Sequence, residues 1–374
     1  AKVPNYSKFD RKNYYYPDLT KNFQTSQFDL PICEHGFLDI EVDGIVKRIG
    51  ITRAHMEEDA GKLVHSGKTI SSSYSSNVDY NRVGVPLLEI VSEPDLRSSE
   101  EAKEYVDSLR RILTYIDISD CKMEEGSIRA DANVSVRKIG ASEFGIRTET
   151  KNLNSLKALQ KAIEYEIERQ IEVLEDGGVI EQETRTWDDE QGITLAMRSK
   201  ADAHDYRYFP EPDLPPIILS DEYIEEVRAS LPELPESRKK RLMEADGLSD
   251  YDANLIIADR HLADYYDQVR KEISDGKLIV NYLMGDYYRE LGEAGLSFVT
   301  SPVKPEAFIE LLQLILDKTI SGKIAKEIIP IMIKEVKSPK SIVEEKGLVQ
   351  ISDSSELEGM ILEVINNKHK AVEA

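Results

Sequence analysis

The spacing of apolar residues changes once along this chain of 374 residues, and that change restricts the possible folds. In the first part, segments in which every second residue is apolar alternate with segments of helical period, whereas nearly everything after Pro235 has helical period. Strands with interspersed helices, followed by helices alone, indicate an α+β body with an all-α tail. We predict an α+β body over residues 1–220, a helical domain over 221–298 and a partial helical tail over 299–374.

The predicted strands are antiparallel. Residues 36–54 alternate around Asp43-Gly44, a pair typical of a two-residue hairpin turn. Residues 128–137 also alternate, with a polar face that is either solvent-exposed or the floor of a site. Strand character returns at Thr184.

Two helices are predicted within the body, the first beginning at Ser99. The second runs from Ser155, which is suited to cap it, to Glu175, and Gly177-Gly178 ends it. Apolar residues at helical spacing should form one buried stripe on this second helix. They are Leu156, Leu159, Ile163, Ile167, Ile171 and Leu174.

Composition excludes several classes of protein. No apolar run approaches the roughly 18 residues that a membrane span requires. Cys33 and Cys121 have no CxxC spacing, so we expect neither a disulfide framework nor a structural zinc site. Two cysteines without a disulfide fit the reducing environment of the cytosol. The net charge of −22 argues against nonspecific nucleic-acid binding, so any RNA contact should be local.

Carboxylates indicate a site for a hard cation. Glu89 interrupts an apolar run, 85–91, that is typical of a buried strand, and a buried carboxylate needs a cation or hydrogen bonds to stabilise it. A salt bridge to Arg82 or Arg129 is the alternative. In segment 55–62, alternation directs His55, Glu57 and Asp59 to one side of a strand, and Met56 and Glu58 to the other. Magnesium binding and a solvated turn both fit that segment.

Two further segments could contribute to chemistry. In 122–133, Arg129 and Asp131 share a strand face, where one could neutralise a phosphate and the other bind metal; a solvent-facing strand is the alternative. Segment 8–18 is dense in Lys, Arg and Tyr, which suits phosphate, RNA or a partner's polar channel, or else a packed aromatic cluster. The sequence contains no P-loop, dinucleotide-binding glycine motif, nucleophile elbow or amidase-like Gly-Ser-Ser-Gly run.

Taken together, these segments resemble the family of B subunits of aspartyl/glutamyl-tRNA amidotransferases, over essentially the whole chain. The matching text is SKFDRKNYYYPD (7–18), ITRAHMEEDAGK (51–62), NRVGVPLLEIVSEPD (81–95), KMEEGSIRADANVSVR (122–137), KNLNS (151–155), DYRYFPEPDLPP (205–216), LPELP (231–235) and residues 322–325.

The resemblance implies an α+β catalytic body of glutamine-synthetase type, a helical domain and a tail that contacts tRNA. It implies that Mg²⁺ and ATP phosphorylate the side-chain carboxylate of misacylated Glu-tRNA(Gln) or Asp-tRNA(Asn). Ammonia channelled from the amidase (the A subunit), in a complex with the small C subunit, then displaces phosphate. A bacterial cytoplasmic location is implied, with an organellar one as the alternative.

Residue by residue, the resemblance implies that Glu58 and Glu89 bind magnesium and that Asp131 lies near a second metal position. Arg129 is a further catalytic and phosphate-binding candidate. Glu57 and Glu125 are secondary cofactor-binding candidates. Lys12 and Lys21 match polar residues near the ammonia outlet.

The chain also departs from the family pattern. An opening segment that supplies a Glu and a His to the metal site is absent, and the tail stops short, so we expect an incomplete metal site. Residues 23–27 and Ala201 differ from the usual text. Two other functions stay open: a noncatalytic tRNA-docking scaffold, and a metal-dependent hydrolase that needs only metal and water.

Overall fold

A computed structural model describes residues 1–66, 74–197 and 205–349. Ala201 and the end of the predicted tail, 350–374, lie outside these described residues. The chain divides into two compact units, Ala1–Pro232 and Glu233–Ala374. The division falls within the proline-rich stretch 231–235. The mixed α/β body with antiparallel sheets and the helical C-terminal region are confirmed, whereas the further division at residue 298 stays a prediction.

The strands of the first unit are short apart from one long hairpin. They are β1 Tyr6–Ser7, β2 Asp10–Asn13, β3 Phe23–Ser26, β4 Cys33–Val42, β5 Ile45–Glu58, β6 Lys62–His65, β7 Ser76–Asp79, β8 Pro86–Ser92, β9 Ala130–Val134, β10 Thr148–Leu153, β11 Thr184–Asp188, β12 Ile193–Ala196, β13 Phe209–Pro210 and β14 Ile217–Ile218.

The predicted hairpin is confirmed and forms the centre of a three-stranded antiparallel sheet in the order β4-β5-β8. Its turn residues Asp43 and Gly44 have φ angles of 52° and 76°. Positive φ at both turn residues matches the right-handed twist of the two strands, which is why an Asp-Gly pair occurs there. Helix α1, Ser99–Tyr115, buries Tyr105 against Ile40 and Ile49 of the hairpin.

A second sheet has the order β12-β11-β10-β9 and is mixed. The pair β9/β10 is antiparallel, but β10 and β11 run parallel. Parallel strands need a long crossover, and α2, Leu156–Glu175, supplies it between β10 and β11. Ala132, Leu159 and Trp187 belong to the core between α2 and this sheet.

Helix α2 has the predicted length, and the side chain of Ser155 caps it by accepting a hydrogen bond from the Ala158 amide. The predicted stripe is wrong at its C-terminal end, since Ile171 and Leu174 are exposed. The position of the buried face explains the difference. Glu166 and Gln170 lie on it and are fully buried, so the helix turns a polar group towards the sheet where the apolar spacing predicted none.

Short strands bring distant segments together beside the hairpin. Strand β2 lies between β13 and β3, so Phe209 is paired with Arg11. Strand β3 also packs against β5. The tyrosine-rich segments 8–18 and 205–216, far apart in sequence, therefore meet at the end of β5.

Beyond β14 the described residues contain helices and no strand. The helices are α3 Asp221–Ser230, α4 Pro235–Asp246, α5 Asp250–Ile257, α6 Arg260–Arg270, α7 Gly276–Val280, a π-helical segment Asn281–Tyr287, α8 Tyr288–Glu293, α9 Pro305–Leu316, α10 Gly322–Glu335 and α11 Pro339–Lys346. One apolar core runs through the second unit, from Leu242 to Val343. Among the described residues, none of the helices is long and apolar enough to span a membrane.

Candidate active site

His55, Glu57 and Glu89 meet on one face of the three-stranded sheet. His55 lies directly opposite Glu89 in the antiparallel pair of β5 and β8. Glu57 follows His55 by two residues and therefore points to the same face. One ligand atom from each side chain lies within 4.8 Å of the others. Among the residues that the structure describes, this is the one such group of three.

Hydrogen bonds from three side chains hold the Glu57 carboxylate. Ser26 donates to Oε1 at 2.8 Å, Gln24 donates to Oε2 at 3.1 Å, and His55 Nε2 lies 3.1 Å from Oε1. Arg53 Nε donates to Nδ1 of His55 at 3.2 Å. Because Nδ1 accepts, the imidazole proton sits on Nε2, and His55 is a donor to the carboxylate.

The pKa of Glu57 is lower than usual, although burial acts in the opposite direction. Burial by itself raises the pKa, but the hydrogen bonds from His55 and Ser26 and the positive charge of Lys12 outweigh it. The Glu57 side chain is 7% exposed and His55 is 5% exposed. Glu57 is therefore an ionised carboxylate enclosed by protein, which is a strong attractor for a cation.

Tyrosines from both ends of the first unit form a wall beside this cluster. Tyr206 packs edge-on against Tyr14 and Tyr208, with ring centroids 6.0 Å apart in each pair. Burial, together with nearby negative charges including that of Glu57, raises the pKa of Tyr14 and of Tyr208 to about 12. The phenols stay protonated at neutral pH and offer hydroxyl groups without adding negative charge.

Glu89 is not buried as predicted. Its side chain is 49% exposed, because β8 is an edge strand of the sheet. A salt bridge with Arg82 or Arg129 does not form either, since both arginines pair with Asp59. Glu89 Oε2 instead lies 3.9 Å from His55 Nε2. The cluster thus combines two enclosed side chains with one carboxylate open to solvent.

Glu58 and Glu89 are not brought together. Glu58 is paired with Pro86 at the end of β5, and strand alternation directs its side chain to the face opposite Glu57. There it accepts from Lys21 Nζ at 2.5 Å and from the Thr25 amide at 2.9 Å. In this structure Glu58 therefore does not join Glu89 on one face of the sheet, and the binding of magnesium by each of the two residues stays a prediction.

The other predicted acids also have partners elsewhere. Asp131 binds Lys151 at 2.5 Å, and Lys151 also contacts Glu149 at 3.1 Å. Glu125 pairs with Lys122 at 2.8 Å on the surface. Neither Asp131 nor Glu125 belongs to the group formed by His55, Glu57 and Glu89.

Comparison with known proteins identifies the family. The family model described as "GatB/GatE catalytic domain" matches residues 1–225, and that described as "GatB domain" matches residues 264–374. The chain belongs to the GatB family.

Curated relatives agree over nearly the whole chain. A protein of Carboxydothermus hydrogenoformans is 58% identical over 373 residues, which are 100% of this chain and 77% of the relative. One of Moorella thermoacetica is 55% identical over 100% of this chain and 78% of its own length. One of Geotalea daltonii is 56% identical over 96% of this chain and 75% of its own length. All three are named as the B subunit of an aspartyl/glutamyl-tRNA(Asn/Gln) amidotransferase.

In this member of the GatB family, Lys12 and Lys21 lie close to the C-terminal end of β5, where Glu57 and Glu58 are adjacent. Lys12 Nζ lies 4.9 Å from the ring centroid of Tyr206, and its charge lowers the pKa of Glu57. Lys21 binds Glu58 and lies 4.6 Å from the Phe23 ring centroid. Both lysines are thus close to the site, and their place in an ammonia channel stays a prediction.

Sequence reasoning placed His55 on the face of Glu57 but did not count it as a site residue. The spacing of two residues between His55 and Glu57 could have indicated that His55 belongs to the site. The strand register that places Glu89 opposite His55 cannot be predicted from the sequence. Ser26, Gln24 and Tyr208 were also missed. They reach the site through strand pairings and packing between segments far apart in the chain.

Proposed function

We propose that this chain is the B subunit of a tRNA-dependent amidotransferase complex and carries its ATP-dependent step. The reaction is phosphorylation of the side-chain carboxylate of glutamate or aspartate on misacylated tRNA(Gln) or tRNA(Asn), followed by amidation. The observation that carries this proposal is the group of His55, Glu57 and Glu89 on one sheet face. The printed names of the relatives supply the substrate class.

The residues present fit a magnesium ion. Two carboxylates, one held ionised and one open to solvent, are a usual protein contribution to a Mg²⁺ site, which otherwise keeps waters and phosphate oxygens. Glu57 and Glu89 would hold the ion. When bound, magnesium supplies charge neutralisation for a transferring phosphoryl group. His55 fixes the orientation of Glu57, because its Nε2–H points at that carboxylate.

In the proposed reaction, an oxygen of the substrate carboxylate attacks the γ-phosphorus of ATP, and ADP leaves. Ammonia that the amidase releases from glutamine then attacks the acyl phosphate, and inorganic phosphate leaves with formation of the amide. Phosphorylation is needed because a carboxylate oxygen is a poor leaving group. The tyrosine wall limits access of water to the buried side of the site, where it would hydrolyse the acyl phosphate.

The proposal extends to the setting of this chemistry. The chain works in a heterotrimer with the amidase and the small third protein of the complex, in the bacterial cytoplasm, and the antiparallel body is of glutamine-synthetase type. Carboxylates that project from one face of an antiparallel sheet support this assignment.

Substitution of Glu89 by Gln tests the proposal. In the complex reconstituted from all three proteins on each misacylated tRNA, E89Q should lower ATP cleavage and amide formation at least about 100-fold, a typical loss for one electrostatic catalytic group. Glutaminase activity should persist. Glu41→Gln is the matched control, since Glu41 is exposed at the hairpin end of the same sheet.

The result separates the alternatives. A noncatalytic docking scaffold tolerates E89Q with unchanged ATP cleavage, which would refute the proposed catalytic role. A metal-dependent hydrolase releases phosphate from ATP at full rate when no acyl-tRNA is present, which would refute the assigned acceptor.

A further inference from the structure

Asp59 holds two arginines that come from different parts of the first unit. Arg129 Nη2 lies 3.1 Å from each carboxylate oxygen of Asp59, and Arg82 Nε lies 3.7 Å from Oδ2. The Asp59 side chain is 14% exposed. One carboxylate is thus shared by two guanidinium groups, so this point carries a net positive charge in a chain of net charge −22.

The arginine pair lies on the same sheet face as the acidic cluster. Strand pairing continues past the end of β5, since the Asp59 amide donates to the Val85 carbonyl at 2.8 Å and Gly84 donates to the Asp59 carbonyl at 3.1 Å. Asp59 follows Glu57 by two residues and therefore projects to the same side. Two residues of extended chain separate them by about 7 Å.

Both arginines retain unused donors. The two hydrogen bonds of Arg129 to Asp59 come from Nη2. Within the described part of the chain, Nε and Nη1 of Arg129 have no acceptor. Nε of Arg82 is buried and faces Asp59, so it is not available to a ligand. The side chains of Arg82 and Arg129 are 37% and 49% exposed, so N–H groups other than the buried Nε of Arg82 can reach a ligand.

A glycine in a left-handed turn lies beside one of these guanidinium groups. A β-carbon at Gly126 would lie 3.6 Å from Nη1 of Arg82, and φ at Gly126 is +80°. The loop with the Met-Glu-Glu-Gly text therefore borders Arg82 with bare backbone. A β-carbon at Gly126 would only make ordinary van der Waals contact with the guanidinium, but the positive φ would strain any other residue there.

We propose that Arg82 and Arg129, positioned by Asp59, form an anion subsite for the polyphosphate of a nucleotide next to the His55–Glu57–Glu89 cluster. The proposal rests on the proposed function in that it names the phosphate-binding part of the same site. A guanidinium group can donate two parallel hydrogen bonds to two oxygens of one phosphate. Phosphoryl transfer also needs positive charge beside the metal to stabilise the phosphate oxygens. Asp59 is a positioning residue, since it holds the guanidinium groups of both arginines in place without contacting the ligand.

The competing explanation is a purely structural tie. Arg129 directly precedes β9 of the four-stranded sheet, whereas Asp59 directly follows β5 of the three-stranded sheet, so their ion pair links the two sheets. A structural tie predicts loss of stability on substitution, with no effect on anion binding.

Inorganic tripolyphosphate, titrated calorimetrically into the full chain with EDTA present, is the probe. Arg82→Gln and Arg129→Gln should each raise the Kd at least about tenfold, through loss of charge-assisted hydrogen bonds. Arg48→Gln is the control, because Arg48 is an exposed arginine with its own bidentate partner, Asp39, and its Kd should match the wild type. Arg82→Lys and Arg129→Lys serve where a Gln variant does not fold.

Unchanged tripolyphosphate affinity in both arginine variants, with or without a lower Tm, overturns the proposal, as does a wild-type chain that binds no tripolyphosphate. The assay uses neither tRNA nor metal, so its result is independent of the proposed reaction. If E89Q proves harmless to ATP cleavage while the arginine variants lose tripolyphosphate, the catalytic assignment fails and the anion subsite stands.

Discussion

Glu57 shows how a buried acid is kept ready for a cation. Burial disfavours its ionised form, yet the hydrogen bonds from His55 and Ser26 and the charge of Lys12 keep its pKa low. Together with Gln24, the His55 and Ser26 donors occupy both of its oxygens. A carboxylate satisfied in this way costs little to keep ionised and is already oriented before any ligand arrives. Glu89, half exposed on the neighbouring strand, supplies the adaptable partner.

Substitution of Glu57 by Gln should remove most of the cation affinity of the full chain. We expect the Kd for Mn²⁺, a stand-in for Mg²⁺ measured by electron paramagnetic resonance, to rise at least about tenfold, because one of two charged ligands is lost. Glu58→Gln is the matched control, since Glu58 points to the opposite face and binds Lys21. A large effect of E58Q combined with a normal E57Q would instead support the magnesium-binding role that the family resemblance implies for Glu58.

The residue scale also shows what alternation alone can and cannot determine. Spacing placed His55 and Glu57 on one face and Glu58 on the other, and this was correct. The partner across the sheet depends on strand register, which the sequence does not encode locally. Glu89 was expected to be buried because its neighbours are apolar, but an edge strand leaves such residues partly exposed.

At the scale of elements, helix α2 is joined to its sheet by a buried polar network as well as by apolar packing. Glu166, fully buried, accepts hydrogen bonds from Thr148, Arg169 and Thr194 and also pairs with Arg185. Burial tends to raise its pKa, but these donors prevail and lower the pKa to about 2. The network fixes the helix on the strands β10, β11 and β12 that provide the donors.

The stability of the first unit should therefore fall in acid. Glu166 has a lower pKa folded than unfolded, so its contribution is fully present above the unfolded value of 4.5 and is lost as the pH falls towards about 2. The contribution is of the order of 3 kcal/mol. Urea unfolding followed by the fluorescence of Trp187, the one tryptophan of the chain, measures it between pH 7 and pH 3.

Glu166→Gln isolates this contribution from other titrating groups. The variant should be less stable than the wild type at pH 7, and the two free energies of unfolding should converge as the pH falls through the titration range. A constant difference between the two proteins over that range would show that Glu166 is not the titrating group.

The two ends of α2 should respond differently to truncation of the same side chain. Ile163→Ala removes buried contacts with the sheet and should cost about 2–4 kcal/mol of unfolding free energy. Ile171→Ala, two turns later and exposed, should cost less than about 1 kcal/mol. Equal costs in urea unfolding would mean that the predicted continuous stripe, and not the observed end of the buried face, is correct.

At the scale of the whole molecule, the chain consists of two units with separate cores. The core of the second unit draws on helices from α4 to α11 and includes the stacked rings of Tyr265 and Tyr287. The first unit contains the sheets and the proposed active site. The proposed active site and the helical core of the second unit thus belong to different compact units.

Residues 233–374 should fold without the first unit. Because the core of this unit is built from its own helices, the isolated fragment should show a helical circular dichroism spectrum and a cooperative thermal transition. Leu312→Ala, at a fully buried position of α9, should lower the Tm of the fragment, whereas Leu316→Ala at an exposed position should not. A broad, non-cooperative transition would contradict an autonomous core.

The sequence by itself determined the change from an α+β body to helices alone, the hairpin turn at Asp43-Gly44, the cap at Ser155 and the family, since each depends on local spacing or on contiguous text. The tertiary structure decided which side chains meet: His55 with Glu89, Asp59 with two arginines, Glu166 with donors from three strands. Those encounters depend on cross-strand register and on packing between residues far apart in the chain. Local periodicity determines only the face of the strand or helix on which a side chain lies, so it cannot specify which distant side chain that residue contacts.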